Sequence, residues 1–284
     1  MLRNIFWYSY RIFSDALSHY WRDNGSAFAS HVALSGLLAL FPFFIFGTSL
    51  ASFMGAFTYT PQKIKALVQL LPDIIAEPLS KEIVNVLTVQ RGGVLTISVI
   101  GAAYFASNGI EALRAALNKA YRVVDQRSLL LCRFQSLFFV ILGAIALVVI
   151  SFLLVLTPLL IKITQRHPFF ITEYIGIIRL WRYIIAAVFL FVSLLIVHKW
   201  LPAGQRKFMD ILPGILVTMF VWFMASIAFA QYLTMFDYIS TYAGLASIMV
   251  AIIFLYILSA IFILGGEINA AIMFYRNHLQ HSDK

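Results

Sequence analysis

Long uninterrupted apolar stretches, rather than alternating apolar and polar positions, dominate this 284-residue chain. The runs 32–53 and 136–161 contain no charged residue, and about twenty apolar residues in a helix cross the roughly 30 Å of hydrocarbon in a bilayer. The predicted spans cover residues 32–53, 94–114, 136–161, 183–201, 211–232 and 243–268. The pattern therefore predicts an all-α fold class, a polytopic integral membrane helical bundle of about six transmembrane helices.

Three stretches fall outside these spans. Residues 1–30 are predicted to form an N-terminal interfacial amphipathic segment, because aromatic and apolar residues alternate there with charged ones at helical spacing. The outer loop 54–93 is predicted to hold two short amphipathic helices, which either cap the mouth of a cavity or lie on the outer leaflet. Residues 274–284 are predicted to form a cytoplasmic tail, which leaves 31–273 as the membrane domain.

Composition and charge agree with a membrane location. The chain is 62% hydrophobic and 12% charged, which leaves too little polar surface for a soluble globule of this length. Its 21 Lys and Arg residues against 12 acids are typical of cytoplasmic loops facing anionic lipid. We expect a membrane protein with both termini cytoplasmic, which contacts anionic lipid headgroups and no nucleic acid.

The strongest candidate ligand-binding site is a polar stripe in the run SNGIEALRAALN. Ser107, Glu111, Arg114 and Asn118 share one helix face, with Asn108 at its edge. A charged group at the centre of a membrane helix costs about 2.5–3.5 kcal/mol unless it is paired or hydrated. Glu111 and Arg114 can pair one turn apart and leave the amides to bind a ligand or a neighbouring helix. Alternatively, the stripe is an ordinary helix end beyond the bilayer edge.

A second candidate lies near the end of the sixth predicted span, where Glu267 and Asn269 follow two glycines. Spans two and six run in the same direction, so these residues are predicted to lie at a depth similar to that of the stripe. The alternative is an interfacial carboxylate bonded to a helix end. Lys119 and Arg122 are the candidates for headgroup contact.

Three prolines interrupt the predicted spans or lie at their ends. Pro42, Pro158 and Pro213 each release a backbone carbonyl from the helical hydrogen-bond ladder. Such a carbonyl can form part of a binding site, or the proline can simply kink the helix.

Catalytic signatures are missing from the sequence. The six histidines show no HExxH or other metal-binding spacing, and neither a phosphate-binding loop nor a nucleophile elbow is found. The single cysteine, Cys132, excludes an intramolecular disulfide. We expect no catalytic residue, no metal and no cofactor, and we do not expect an enzyme.

Four motifs resemble the YihY, or BrkB-like, family of bacterial inner-membrane proteins, formerly mislabelled ribonuclease BN. In chain order they are HVALSGLLALFPFF, GIEALRAALNKAY, LPAGQRKFMDILPG and YAGLASIMVAIIFLYILSAIFILGGEINAAI. The resemblance covers roughly residues 15–273. It implies six spans, no nuclease residues, and a link to envelope integrity or to export of lipid-like material. YAGLA stands where relatives often have a Tyr-Gly pair, and Leu255-Tyr256 replaces an often Trp-rich stretch.

Together these observations favour a transporter or flippase-like exporter of an amphipathic anionic lipid or envelope precursor. The alternative is a non-transporting membrane scaffold, or an envelope-integrity factor, that binds protein partners. The sequence leaves open whether the chain has protein partners or forms a homo-oligomer.

Overall fold

A computed structural model of the chain describes residues 2–53, 92–151, 153–154, 175–235 and 243–282. Within these ranges the regular elements are helices and no strand is present, so the predicted all-α bundle is confirmed. The helices in chain order are α1 (Leu2–Arg22), α2 (Gly25–Phe53), α3 (Gly92–Ala120), α4 (Leu129–Ser151), α5 (Ile175–Trp200), α6 (Phe208–Met235) and α7 (Ala243–Ser282).

Four helices in the described part are long and apolar enough to cross a membrane. The segments that qualify are Leu129–Leu147, Leu180–Trp200, Phe208–Leu233 and Ile248–Arg276, which belong to α4 to α7. The helices α2 and α3, of 29 residues each, cover the first two predicted spans; α2 contributes a shorter apolar helix, Gly25–Leu40. The chain is therefore a membrane protein, and the total of six membrane spans stays a prediction.

The N-terminal helix α1 packs on the bundle through one face. Ala16 is buried there against Ile268 and Ala271 of α7. Its opposite side exposes a stripe of large apolar side chains that can face lipid. The stripe consists of Trp7, Tyr10, Phe13, Leu17 and Trp21.

A tight turn separates α1 from α2 well before the boundary predicted at residue 30. Asn24 adopts a left-handed backbone conformation with a φ of 60°, which a short polar side chain tolerates better than most residues do. Gly25 follows, and a Cβ at this position would overlap the ring of Tyr20. The turn therefore brings the start of α2 directly onto the end of α1.

Close backbone approaches hold the central helices together. Gly109 of α3 faces Ser35 of α2, where a Cβ on the glycine would lie 3.2 Å from the serine Cβ. Where α6 crosses α7, a Cβ on Gly265 would overlap the hydroxyl of Thr218, and one on Gly214 would overlap the carbonyl of Gly265. Small residues at such crossings are typical of membrane helix pairs, because packing rather than hydrophobic burial drives their association.

Pro42 and Pro213 both lie inside helices, α2 and α6 respectively. Pro158 and the amphipathic helices predicted for the outer loop lie outside the described residues. The helix α7 continues to Ser282, so the predicted tail from residue 274 extends the last helix.

Candidate functional site at the polar end of the bundle

Polar side chains gather at one end of the bundle, which we call the polar end. There α3 and α5 finish and α4 and α6 begin, and α7 contributes Asn269, which bonds to Gly214 and Tyr121. The linkers 121–128 and 201–207 connect these helices.

A chain of hydrogen bonds runs through the interior of the polar end; we call it the buried polar chain. The backbone N–H of Gly214 donates to Asn269 Oδ1 at 2.6 Å. Asn269 Nδ2 donates to the hydroxyl of Tyr121 at 3.2 Å, which lies 3.1 Å from Nδ1 of His198. In the His198 tautomer with an unprotonated Nδ1, the tyrosine hydroxyl donates to this nitrogen. A neutral His198 then carries its own proton on Nε2.

Four buried polar atoms near this chain have no hydrogen-bond partner among the described residues. They are Nε2 of His198, Nη1 of Arg206, Oγ1 of Thr218 and Oε2 of Glu267. A buried donor or acceptor without a partner costs about 1–3 kcal/mol. Such groups inside membrane helices are functional candidates by default.

The acidic half of the predicted stripe joins α3 to α4. Arg133 of α4 forms an ion pair with Glu111 at 2.7 Å and donates to Asn108 Oδ1 at 2.9 Å. The predicted pairing of Glu111 with Arg114 is therefore replaced by a pairing between helices. Ser107 is buried, and its hydroxyl donates to the backbone carbonyl of Tyr104 within the same helix.

The rest of the stripe meets the first linker. Arg114 donates to the backbone carbonyl of Cys132 at 2.9 Å and lies 3.7 Å from Asp125. Asn118 donates to Asp125 at 3.1 Å and accepts from the backbone N–H of Ala203 at 2.7 Å. Both side chains are thus occupied by contacts within the protein.

Asp125 is the centre of these linker contacts. Arg127 donates to it from Nη2 at 2.6 Å, from Nε at 2.8 Å and from its backbone N–H at 3.1 Å. These hydrogen bonds from Arg127 hold the pKa of Asp125 well below its usual range. Hydrogen bonding to Asp125 correspondingly raises the pKa of Arg127. The pair stays charged throughout the physiological pH range.

Arg127 also connects the two linkers to α4. It donates to the side chain of Gln135 at 2.8 Å and to the backbone carbonyl of Leu201 at 3.0 Å. Gln135 in turn donates to the carbonyl of Trp200 at 2.5 Å. The backbone carbonyls of Trp200 and Leu201, at the end of α5, therefore accept hydrogen bonds from the side chains of Gln135 and Arg127.

A buried arginine covers the buried polar chain. Arg206 is 8% exposed, donates to the backbone carbonyl of Ala203 at 2.6 Å and lies 3.9 Å from the ring centre of Tyr121. Burial lowers the pKa of Arg206, and burial raises the pKa of Tyr121 to about 12. The phenol is therefore neutral at physiological pH and can act as a hydrogen-bond donor.

The predicted approach of span two to span six is found at the C-terminal end of the stripe, beside Asn118. Gly266 lies against Leu117 and Ala120, at the end of α3. Glu267 and Asn269 are therefore closer to this helix end than to Ser107 and its neighbours.

The two predicted headgroup contacts have different surroundings. Lys119 is exposed, with its ammonium 5.2 Å from the ring centre of Phe28. Arg122, which has a φ of 56°, lies 3.3 Å from the carboxylate of Asp15 on α1. Arg122 thus also joins the N-terminal helix to the polar end.

Several residues that build this site were not predicted from the sequence to belong to it, namely Tyr121, Asp125, Arg127, His198, Arg206 and Thr218. Tyr121 and Arg206 stand inside motifs that carry the family resemblance, which was the available signal for them. Within the described ranges, no three His, Cys, Asp or Glu side chains lie together as potential metal ligands.

The long apolar helices and the polar network at one end define a polytopic α-helical membrane protein. Residues 16–284 match the family described as virulence factor BrkB, and the chain belongs to that family. It is 29% identical over 265 residues to YfkH of Bacillus subtilis (strain 168), a protein named as ribonuclease-like. That alignment covers 90% of this chain and 93% of YfkH. No solved structure matches the chain.

Proposed function

We propose that the protein is a transporter or flippase-like exporter of an amphipathic anionic lipid or envelope precursor in the bacterial inner membrane. The observation that carries the proposal is Glu267, which is 2% exposed inside the membrane-spanning segment Ile248–Arg276. One of its carboxyl oxygens has no partner among the described residues. Keeping a carboxyl group there is costly, so a function is the expected reason for it.

The surroundings of Glu267 fit a group that exchanges a proton. No ion pair joins Glu267 to a cation in the part of the chain that the structure describes. We propose that Glu267 binds a proton in one state of the transport cycle and releases it in another.

Cations at the polar end support an anionic cargo. Lys119 and Lys207 are exposed there, and Lys199 is partly exposed. Each Lys or Arg near a membrane surface attracts anionic headgroups by about 1 kcal/mol. In this proposal these cations concentrate the cargo at the polar end. The polar end and both termini then lie on the cytoplasmic side of the membrane.

The test is lipid movement in reconstituted vesicles. Protein is incorporated into liposomes containing fluorescently labelled phosphatidylglycerol, and the accessible fraction is measured by dithionite quenching. Glu267→Gln should abolish movement without loss of folded protein. The matched variant Glu111→Gln changes a carboxylate already paired with Arg133 and should retain most movement. Equal movement with the wild-type protein, Glu267→Gln and protein-free liposomes would refute the proposal.

One observation favours a second candidate, the non-transporting scaffold. The amide and charged groups of Asn108, Glu111, Arg114 and Asn118 are all bonded within the chain, as a rigid binding platform would require. A scaffold predicts a stoichiometric protein partner in crosslinking and an unaltered envelope phenotype for Glu267→Gln. We propose no enzymatic activity; RNA cleavage by the purified protein that is lost in Glu267→Gln would contradict this.

A further inference from the structure

An apolar groove opens between α4 and α5 at the polar end. Its volume is about 360 Å³, and its lining consists of Gln135, Phe138, Phe139, Leu142, Ile196 and Trp200. Phe139 is buried and forms part of the core, whereas Phe138 and Trp200 are more than half exposed. Both helices contain membrane-spanning segments, Leu129–Leu147 and Leu180–Trp200. The groove therefore lies between two helices that are long and apolar enough to cross a membrane.

The polar end of the groove carries positive charge. Lys199 precedes Trp200, and its ammonium lies 5.6 Å from that ring centre and 3.4 Å from the ring centre of Phe208. Its described charge contacts are with these rings, and no carboxylate in the described residues pairs with it. Arg127 reaches the same end through Gln135, but Asp125 neutralises it. One uncompensated cation remains beside an apolar groove.

This combination matches one ligand chemistry. An acyl chain fits an apolar groove of this size, and an anionic headgroup fits a partly exposed lysine at the polar end of that groove. The aromatic side chain of Trp200 between them is typical of the membrane interface, where an amphipathic ring meets both environments.

We propose that this groove binds one acyl chain of an anionic phospholipid, with the headgroup at Lys199. The groove provides a lateral site at the edge of the bundle, separate from Glu267. The inference does not depend on transport, since a lipid can bind here without crossing the membrane.

Quenching of Trp200 fluorescence tests the site directly. The full-length protein is placed in vesicles of unlabelled phosphatidylcholine that contain brominated phosphatidylglycerol or, at the same fraction, brominated phosphatidylcholine. The difference between the wild-type protein and Trp200→Phe isolates the signal of Trp200. We expect brominated phosphatidylglycerol to associate about fivefold more strongly, the effect of one lysine near an anionic lipid.

Two pairs of variants separate a specific site from general lipid contact. Lys199→Gln should remove the headgroup preference, whereas Arg22→Gln, which changes an exposed cation in the last turn of α1, should keep it. Filling the groove with Leu142→Phe and Ile196→Phe should reduce quenching by both lipids. The control Ile141→Phe with Val192→Phe enlarges exposed positions on the same helices and should leave quenching unchanged.

The proposal is overturned if the two brominated lipids quench Trp200 equally at equal fractions. It is also overturned if a folded groove-filling variant is quenched like its control. Should that variant fail to fold, the comparison of Lys199→Gln with Arg22→Gln decides. Lipid movement is measured separately, so a missing groove site and a missing transport activity give different results.

Discussion

The carboxylate of Asp125 joins the end of α3 to the linker 121–128, so Asp125→Ala is expected to destabilise the polar end strongly. The substitution removes three hydrogen bonds from Arg127 and one from Asn118, and it leaves Arg114 and Arg127 without their carboxylate. Asp125 and Arg127 are only 18% and 24% exposed, so solvent compensates the loss only partly.

Removing one member of a buried ion pair costs about 3–5 kcal/mol, and the residual exposure of this pair lowers the expectation to about 2–4 kcal/mol. The apparent melting temperature in detergent should therefore fall by about 5–10 °C. Asp125→Asn, which preserves size and one carbonyl acceptor, should cost less than Asp125→Ala. The measurement is thermal unfolding followed by size-exclusion chromatography of the remaining monodisperse protein.

The pH dependence of this difference provides a second check. The pKa of Asp125 is lowered in the folded protein. The contribution of Asp125 to the free energy of unfolding is therefore complete at a pH above its unfolded pKa, near 3.8. That contribution is lost as the pH falls through the lower pKa of the folded protein. The gap between wild type and Asp125→Asn should therefore stay constant from pH 8 to pH 5. A gap that closes within this range, or equal stability of wild type and Asp125→Ala, would refute the reasoning.

Two further changes probe the interior. Gly265→Val should lower the melting temperature because the new side chain would overlap Thr218, whereas Gly143→Val, at a position with open space around it, should be tolerated in the same thermal assay. Tyr121→Phe keeps the ring but removes the hydroxyl bonded to His198. The free energy of unfolding should fall by about 1–3 kcal/mol, measured by unfolding of the detergent-solubilised protein. An unchanged unfolding midpoint would contradict a stabilising hydrogen bond there.

The polar stripe illustrates how far sequence reasoning reached at the site. Spacing placed Glu111 and Arg114 on one helix face, and both lie on α3 as expected. Their partners, Arg133 and Asp125, come from a different helix and a linker. Helical periodicity reports which residues share a face, but the element that this face meets depends on how α3 and α4 pack. The same limitation concealed His198, an isolated histidine at the end of an apolar run.

The sequence by itself determined the class of protein and the helical content. Long uncharged apolar runs can be stable in hydrocarbon only when each backbone N–H and C=O is bonded within the segment, which a helix achieves locally. Only the tertiary structure decided which side chains meet at the candidate functional site. Tyr121, His198 and Asn269 are far apart in the chain, and their bonds form only because the ends of α3 and α5 meet the middle of α7. The unpaired oxygen of Glu267 and the groove beside Lys199 follow from the same packing.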